Sequence, residues 1–115
     1  MANTFTSKCI KLIESNGLTQ IYNASTETII IGLTLITNSV NDSGVIDMFI
    51  RDASNADYHI LKSTKIPTAF LSPGANAIVG GNSGKIVLMA GESLYAQSLK
   101  ANADIYLSIS TLEIS

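Results

Sequence analysis

The alternation of apolar and polar residues near the C-terminus is the feature that most constrains the fold. In the last strand-length run, Ile105, Leu107 and Ile109 alternate with Tyr106 and Ser108. Successive side chains of an extended chain point to opposite faces, whereas a helix brings together residues three and four apart. The run therefore predicts a β-strand with one face against a core.

Two more apolar runs precede this strand, at residues 86–89 and 94–99, and the corner Ala90-Gly91-Glu92 separates them. Clusters of Gly and Asn bound the runs, which is typical of strands joined by tight turns. We expect residues 80–115 to form an antiparallel meander of three strands, with residues 80–84 as its opening hairpin loop.

The rest of the chain shows short strand patterns between turn signals, spaced roughly 8–12 residues apart. No convincing α-helical pattern occurs, and Asn16-Gly17 is a strong turn signal because both residues tolerate positive φ. We predict an all-β fold over residues 1–115 as a single domain: an antiparallel β-sandwich of about eight short strands, jelly-roll or immunoglobulin-like. The other predicted strands lie within residues 2–14, where one helical turn is the alternative, and at 18–22, 28–37, 45–51, 58–61 and 77–79.

The predicted strand at 28–37 has a face that we assign to the core. Gly32, in its middle, is expected to let another backbone or side chain approach closely. Near the C-terminus the apolar phase shifts to Leu112 and Ile114, as a bulge or an exit onto a neighbouring subunit would explain, and we expect both to be buried. The predicted core-facing residues are Ile29, Ile31, Leu33 and Leu35, and in the predicted strand at 45–51 the residues Ile46, Met48 and Ile50 share one face.

Charge is scarce in this chain. Charged residues make up 14% of it, against roughly 25% in typical soluble domains. Ser, Thr and Asn supply much of the polar surface instead. A weakly charged surface suits permanent contact with other subunits, because few charges must be desolvated at the interface. The alternative is a β-protein rich in Ser and Thr, with nothing implied about partners.

The net charge of −2 and the lack of a basic run predict no nucleic-acid partner and no membrane partner. The longest apolar run, at 29–33, is far shorter than a bilayer span, and the N-terminus lacks the apolar core of a secretion signal. Cys9 is the only cysteine, so no intrachain disulfide can form. We expect the chain to be made in a cytoplasm and to stay unprocessed.

Residues that could carry chemistry are few. His59 is the only histidine and Cys9 the only thiol, and neither has a suitably spaced partner for a metal site or a nucleophile–base pair. We expect His59 on a surface or interface and Cys9 buried as a small hydrophobe. No catalytic, cofactor-binding or metal-binding residue is predicted, no cofactor is expected, and the chain is not expected to be an enzyme.

Two other patterns fail as sites. A calcium loop needs oxygen ligands at closely alternating positions, whereas Asp42, Asp47, Asp52 and Asp57 recur every five residues. Asn41, Asp42, Asn55 and Asp57 lie in predicted turns, where such side chains typically cap the backbone. The Gly-rich run at 80–85 does not match a phosphate-binding loop, because Ile86 follows the lysine and a strand follows in place of a helix.

Several segments together carry a family resemblance. From about residue 18 onward, the chain resembles small β-sandwich virion structural proteins of tailed bacteriophages, including those of cyanophages. In those proteins a lysine, an apolar run, Ala-Gly-acid and Leu commonly precede the last strands. No proline stands near 23–26, where relatives carry a proline-glycine turn. The segments are Ile21-Tyr22 before a polar link, the apolar strand at 29–33, His59-Ile60-Leu61-Lys62, Ile66-Pro67, a Pro-Gly turn, and GKIVLMAGESL at 84–94.

The resemblance implies a non-enzymatic virion component present in many copies, as capsid decoration or cement, or in the neck or tail. Its partners would be itself, as a homo-oligomer, and other virion proteins such as capsid, neck or tail subunits. The alternative is a carbohydrate-binding module for host-surface glycans, supported if a shallow groove is lined by Tyr22, Tyr58 or Tyr95. A pilus or adhesin subunit is disfavoured by the missing signal sequence.

Overall fold

The protein folds into two antiparallel β-sheets in a computed structural model, which describes residues 3–37, 44–66, 77–78, 86–101 and 103–114. The predictions for Asp42, Pro67, the turn at 72–74 and the loop at 79–85 lie outside these residues. In the described part no helix is long and apolar enough to cross a membrane. The strands are β1 (Thr4–Leu12), β2 (Thr19–Asn23), β3 (Thr28–Thr37), β4 (Gly44–Arg51), β5 (Asp57–Ile66), β6 (Ala77–Ile78), β7 (Ile86–Leu88), β8 (Ser93–Ser98) and β9 (Ile105–Glu113), with a 3-10 turn at Glu14–Asn16.

The strand order is that of a jelly roll. One sheet runs β1-β9-β3-β6 and the other runs β2-β8-β4-β5. β6 and β7 both pair with the same strand, β3, at its two ends, so the described strands fill eight positions. The chain therefore follows the path of one long hairpin whose turn joins β4 to β5, and this hairpin wraps around so that its strands form the two sheets. This confirms the all-β sandwich. It also excludes the immunoglobulin alternative, in which the first two strands share a sheet.

The predicted C-terminal meander is wrong. β8 pairs with β2 and β4 in the second sheet, while β9 lies between β1 and β3 in the first. The corner at Ala90-Gly91-Glu92 is a turn, as predicted, but it carries the chain from one sheet to the other. The Asn16-Gly17 turn also carries the chain from one sheet to the other, because β1 belongs to the first sheet and β2 to the second. Alternation identifies a strand but carries no information about which strand pairs with it.

The core lies between the sheets. Ile46 and Met48, which the sequence places on one face of their strand, are buried, and Ile50 is partly buried against them. The inward residues of β9 pack opposite them and are buried in alternation with exposed or half-buried neighbours. The largest fully buried side chains are Leu12, Ile21, Leu33, Leu35, Ile46, Met48, Ile66, Leu88, Leu94, Ile105, Leu107 and Ile109.

A bulge in β3 changes which residues face the core. The pairing with β9 shifts register between Ile30 and Gly32, so Ile31 is an extra residue and is 43% exposed. Ile30 is buried, and Ile29 faces outward. The prediction is thus right for the second half of the strand and wrong for Ile29 and Ile31, since one inserted residue reverses the faces.

The last strand keeps its phase to its end. Thr111 occupies the inward position that follows Ile109 and is buried, while Leu112 lies on the outer face. Leu112 and Ile114 are both partly buried within the chain. The apparent phase shift in the sequence therefore arises because a polar residue, Thr111, occupies a core position and an apolar residue, Leu112, lies on the outer face. The bulge is in β3, opposite this point.

One turn ties two connections together. The backbone N–H of Gly91 donates to the carbonyl of Ala24 at 2.8 Å, and the N–H of Ala24 donates to the carbonyl of Glu92 at 2.9 Å. Gly91 has φ +92°, which side-chain-bearing residues rarely adopt. Its hydrogen atoms also face Ala53, from the β4–β5 connection.

We expect Gly91→Ala to lower the free energy of unfolding by about 1–3 kcal/mol, because the new Cβ is strained at this φ and would lie 3.3 Å from the Cβ of Ala53. Gly32→Ala is the matched control, since its Cβ would lie 3.9 Å from that of Ser110 in ordinary contact. Urea unfolding measures both. Equal losses for the two variants would contradict the assignment.

Candidate functional site

An apolar row crosses the outer face of the first sheet. It consists of Phe5, Leu112, Ile29 and Val87, which are cross-strand neighbours on β1, β9, β3 and β7. Phe5 is 71% exposed and Val87 44% exposed, and the two between them are half-buried. Ile31, in the bulge two residues along β3, is also exposed. Four strands thus present one continuous apolar strip to the outside.

Small uncharged residues fill the next two rows of the same face. Ser7, Ser110 and Gly32 form one row, and Cys9, Ser108 and Thr34 form the other. The first charge along β1 on this face is Lys11, which lies 3.6 Å from the Asp104 carboxylate. We call the apolar row and these two rows together the uncharged face.

Cys9 is exposed on this face as a free thiol, so the prediction of a buried thiol is wrong. In β1, Leu12 and Ile10 point toward the core, so the alternating residues Lys11 and Cys9 point outward. A shallow depression of about 400 Å³ lies here, lined partly by Cys9, Thr34 and Tyr106.

The outer face of the second sheet is covered by its own side chains. Phe49 points outward yet is only 6% exposed. Its ring stacks on Tyr95 with centroids 5.6 Å apart, and it contacts the His59 ring at 5.2 Å. His59 is exposed on β5, as expected of a surface histidine. The two aromatic neighbours give Phe49 the burial that a core would otherwise supply.

Arg51 closes this cluster. Its guanidinium lies 5.4 Å from the Phe49 ring centroid and 4.7 Å from that of Tyr95. It also donates two hydrogen bonds to the Asp57 carboxylate, at 2.8 and 3.2 Å. These bonds lower the pKa of the Asp57 carboxyl and raise the pKa of Arg51. A guanidinium that both stacks and pairs bidentately is already engaged within the chain.

The aspartates described by the structure have structural partners. Asp52 accepts hydrogen bonds from the backbone N–H groups of Ser54 and Ala56, both at 2.9 Å, and so caps the β4–β5 turn. Asp47 accepts from the N–H of Ser63 at 2.7 Å, where a bulge gives Ser63 a φ of 47°. The capping prediction is wrong for Asp57, which begins β5 and pairs with Arg51. The residue that caps this turn is Asp52.

Groups that could hold a metal or start a covalent reaction are not gathered in the described residues. No set of three His, Cys, Asp or Glu side chains lies close enough there to bind a metal ion. Cys9 is on the first sheet and His59 on the edge strand of the second, so the thiol and the imidazole are on different sheets. The three tyrosines named for a glycan groove also lie apart: Tyr22 faces between the sheets, Tyr95 stacks on Phe49, and Tyr58 is on β5.

A cleft of about 400 Å³ opens between the sheets where β1 and β2 form their edges. Within it, Tyr22 of the second sheet donates a hydrogen bond to the Glu113 carboxylate of the first. Thr6 and Thr111 share a hydroxyl–hydroxyl hydrogen bond. Burial raises the pKa of the Tyr22 phenol, and the hydrogen bond to Glu113 raises it further.

The sequence carries a change from polar to apolar residues that marks this cleft. The inward positions of β1 change from Thr6 and Lys8 to Ile10 and Leu12. Those of β9 change from Ile109 to Thr111 at the same level. The change is visible only once the two strands are known to be neighbours in register.

No protein-family model matches the sequence, and no curated protein matches it. Several solved structures have a similar fold. The core of the Drosophila NLP protein, solved to explain pentamer formation and histone binding, has a TM-score of 0.58 and 6% identity, over 97% of this chain and 100% of that one. The cyanophage Pam1 capsid asymmetric unit has a TM-score of 0.52 and 14% identity, over 97% of this chain and 85% of that one.

A pentameric capsid protein from metagenomic phage sequences has a TM-score of 0.48 and 12% identity, over 94% of this chain. This chain spans 62% of that protein's length. At these identities the likenesses show the fold alone, a β-sandwich that phage capsid proteins also adopt.

We expect Tyr22→Phe to lower the free energy of unfolding by about 1 kcal/mol at neutral pH, because the sheets lose a hydrogen bond at the cleft. The folded state holds the phenol pKa above its usual 10.0, so the contribution is present below pH 10 and is lost as pH rises through the folded pKa. The difference between wild type and variant should therefore shrink above pH 10 in urea unfolding. Tyr58→Phe, on an exposed side chain, is the control and should show neither effect.

Proposed function

We propose that this chain is a non-enzymatic structural subunit of a bacteriophage particle, and that it assembles in several copies through its uncharged face. The observation that carries the proposal is the apolar row across four strands, continued by two rows of small residues without charge. Such a surface can be desolvated at little electrostatic cost. The apolar row stays exposed, although the chain covers an outward aromatic side chain, Phe49, on the other sheet. This contrast favours a partner for the row.

The partner that we propose for this face is a second copy of the chain. Support comes from the similarly folded core of the Drosophila NLP protein, which was described in terms of pentamer formation. Ring assembly needs two complementary patches on each subunit. The three rows of the uncharged face on β1, β9 and β3 cover about 20 by 14 Å, or roughly 280 Å², which is about a third of the roughly 800 Å² that each partner buries in a standard interface. The adjoining free edge of β1 would supply the remainder.

A place in a phage particle is supported by the sequence resemblance of residues 84–94 to phage virion proteins and by the fold similarity to the cyanophage capsid. Of the two, the fold similarity alone favours the capsid over the neck or tail. Synthesis in the host cytoplasm follows from this proposal. Histone binding, described for the NLP core, is not carried over, because a net charge of −2 attracts a basic partner only weakly.

We expect the wild-type chain to form an oligomer, whose mass in light scattering after size exclusion is an integer multiple of, and larger than, the 12.2 kDa of one chain. Phe5→Asp places a carboxylate in the apolar row and should weaken association about tenfold or more, because the charge must be buried on assembly. Tyr58→Asp alters an aromatic residue of similar exposure, 60%, on the other sheet and should leave the mass unchanged.

Cys9 supplies a second measurement on the same face. As the only cysteine, it should react quickly with a maleimide in the Phe5→Asp variant and slowly in the assembled wild type. Binding of the wild type to purified phage particles, followed by sedimentation, tests the virion assignment. A wild type that is monomeric at all concentrations, labels quickly at Cys9 and does not sediment with particles would refute the proposal.

A further inference from the structure

The interior of the sandwich changes character at one end. The inward residues of β1 are Thr6 and Lys8 at this end, whereas Ile10 and Leu12 at the other end pack with the core. A sandwich core is normally closed by interdigitating apolar side chains. Here the polar end is not closed, and the cleft of about 400 Å³ lies there. Its size is within the range of small-molecule sites.

The lining of the cleft is rich in groups that both donate and accept hydrogen bonds. Hydroxyls and amides have this dual capacity, and Lys8 adds a donor. The apolar side chains of Ile21 and Ile109 also contribute to the walls. A polyhydroxylated ring has the matching combination of hydroxyls at its edge and apolar C–H groups on its faces. The hydroxyl and amide residues of the lining are Thr6, Ser7, Gln20, Tyr22, Asn23 and Thr111.

Several of these groups are already oriented by the protein. The Ser93 hydroxyl accepts a hydrogen bond from Gln20 Nε2 at 3.2 Å and donates one to Asn23 Oδ1 at 2.9 Å. The Tyr22 phenol is held by Glu113, and the Thr111 hydroxyl is held by Thr6. Because the two amides and two hydroxyls are fixed before a ligand arrives, less conformational entropy is lost on binding.

We propose that the cleft between β1 and β2 is a saccharide-binding site that takes one or two sugar rings. The site lies between the sheets and shares only Ser7 with the uncharged face, so it is a further activity beyond assembly. Tyr22 and Thr111 form its depth. Gln20, Asn23 and Lys8 form its rim and fix the orientation of the sugar.

The test is an NMR titration of the ¹⁵N-labelled full chain with glucose, N-acetylglucosamine, glucuronic acid and lactose. We expect saturable shifts of the amides of residues 6–8, 20–23 and 111, with a dissociation constant of about 1 mM for the best single ring. The weak affinity reflects the small number of atoms in one ring.

Two variants probe the lining. Thr111→Val keeps the shape and removes one hydroxyl, and Gln20→Ala removes an exposed amide without touching the core. Each is expected to weaken binding about tenfold, because a partner group on the sugar is left unpaired. Thr34→Val, in the depression on the uncharged face, is the matched control and should bind as wild type does. If Thr111→Val fails to fold, Gln20→Ala alone decides the outcome.

Three results would overturn the proposal. They are no saturable shift with any of the sugars up to about 100 mM, shifts that map to Cys9 and Tyr106 around the depression on the first sheet, or equal shifts with glycerol at the same hydroxyl concentration. Phe5→Asp separates this test from that of assembly. It should abolish association and leave sugar binding unchanged, so the two proposals fail independently.

Discussion

The pairing of β9 with both β1 and β3 is the interaction on which the rest of the structure depends. Thr4 pairs with Glu113 and Leu12 with Ile105, so the two ends of the chain lie side by side along nine residues. The other edge of β9 pairs with β3. The first sheet is therefore incomplete until the last strand has been added, and the inward side chains of the second sheet lack a cover until then. Such non-local pairing carries a large loop-closure entropy, which favours slow, cooperative folding.

The two outer faces deal with exposure in different ways. On the second sheet, Phe49 is covered by Tyr95, His59 and Arg51, and Asp57 neutralises the guanidinium. On the first sheet, Phe5 and Val87 are left open, and their neighbours are serine, glycine and threonine. A face covered by its own charges is costly to desolvate, whereas an uncharged face is not. This contrast is the physical basis for assigning assembly to the first sheet.

The same register also explains the cleft. Polar residues at inward positions of β1 and β9 prevent the sheets from closing at one end, and Tyr22 bridges the opening to Glu113. At the closed end, the inward isoleucines and leucines of the same strands are buried. One alternation thus yields a core at one end and an open cleft at the other. The edge strand β5 shows a related device, in which Asp47 stabilises a bulge at Ser63 that blunts a free edge.

The sequence by itself determined that the chain is a β-sandwich, where most strands lie, and that Leu33 and Leu35 belong to its core, because period-two alternation and turn residues are local properties. Only the tertiary structure decided the partners of β7, β8 and β9, the reversal of faces at Ile31, and the outward position of Cys9. These features depend on strand register and on one inserted residue, about which the alternation in the sequence gives no information. The uncharged face and the cleft arise in the same way, since residues about one hundred positions apart, such as Phe5 and Leu112 or Thr6 and Thr111, become neighbours only when the ends of the chain pair.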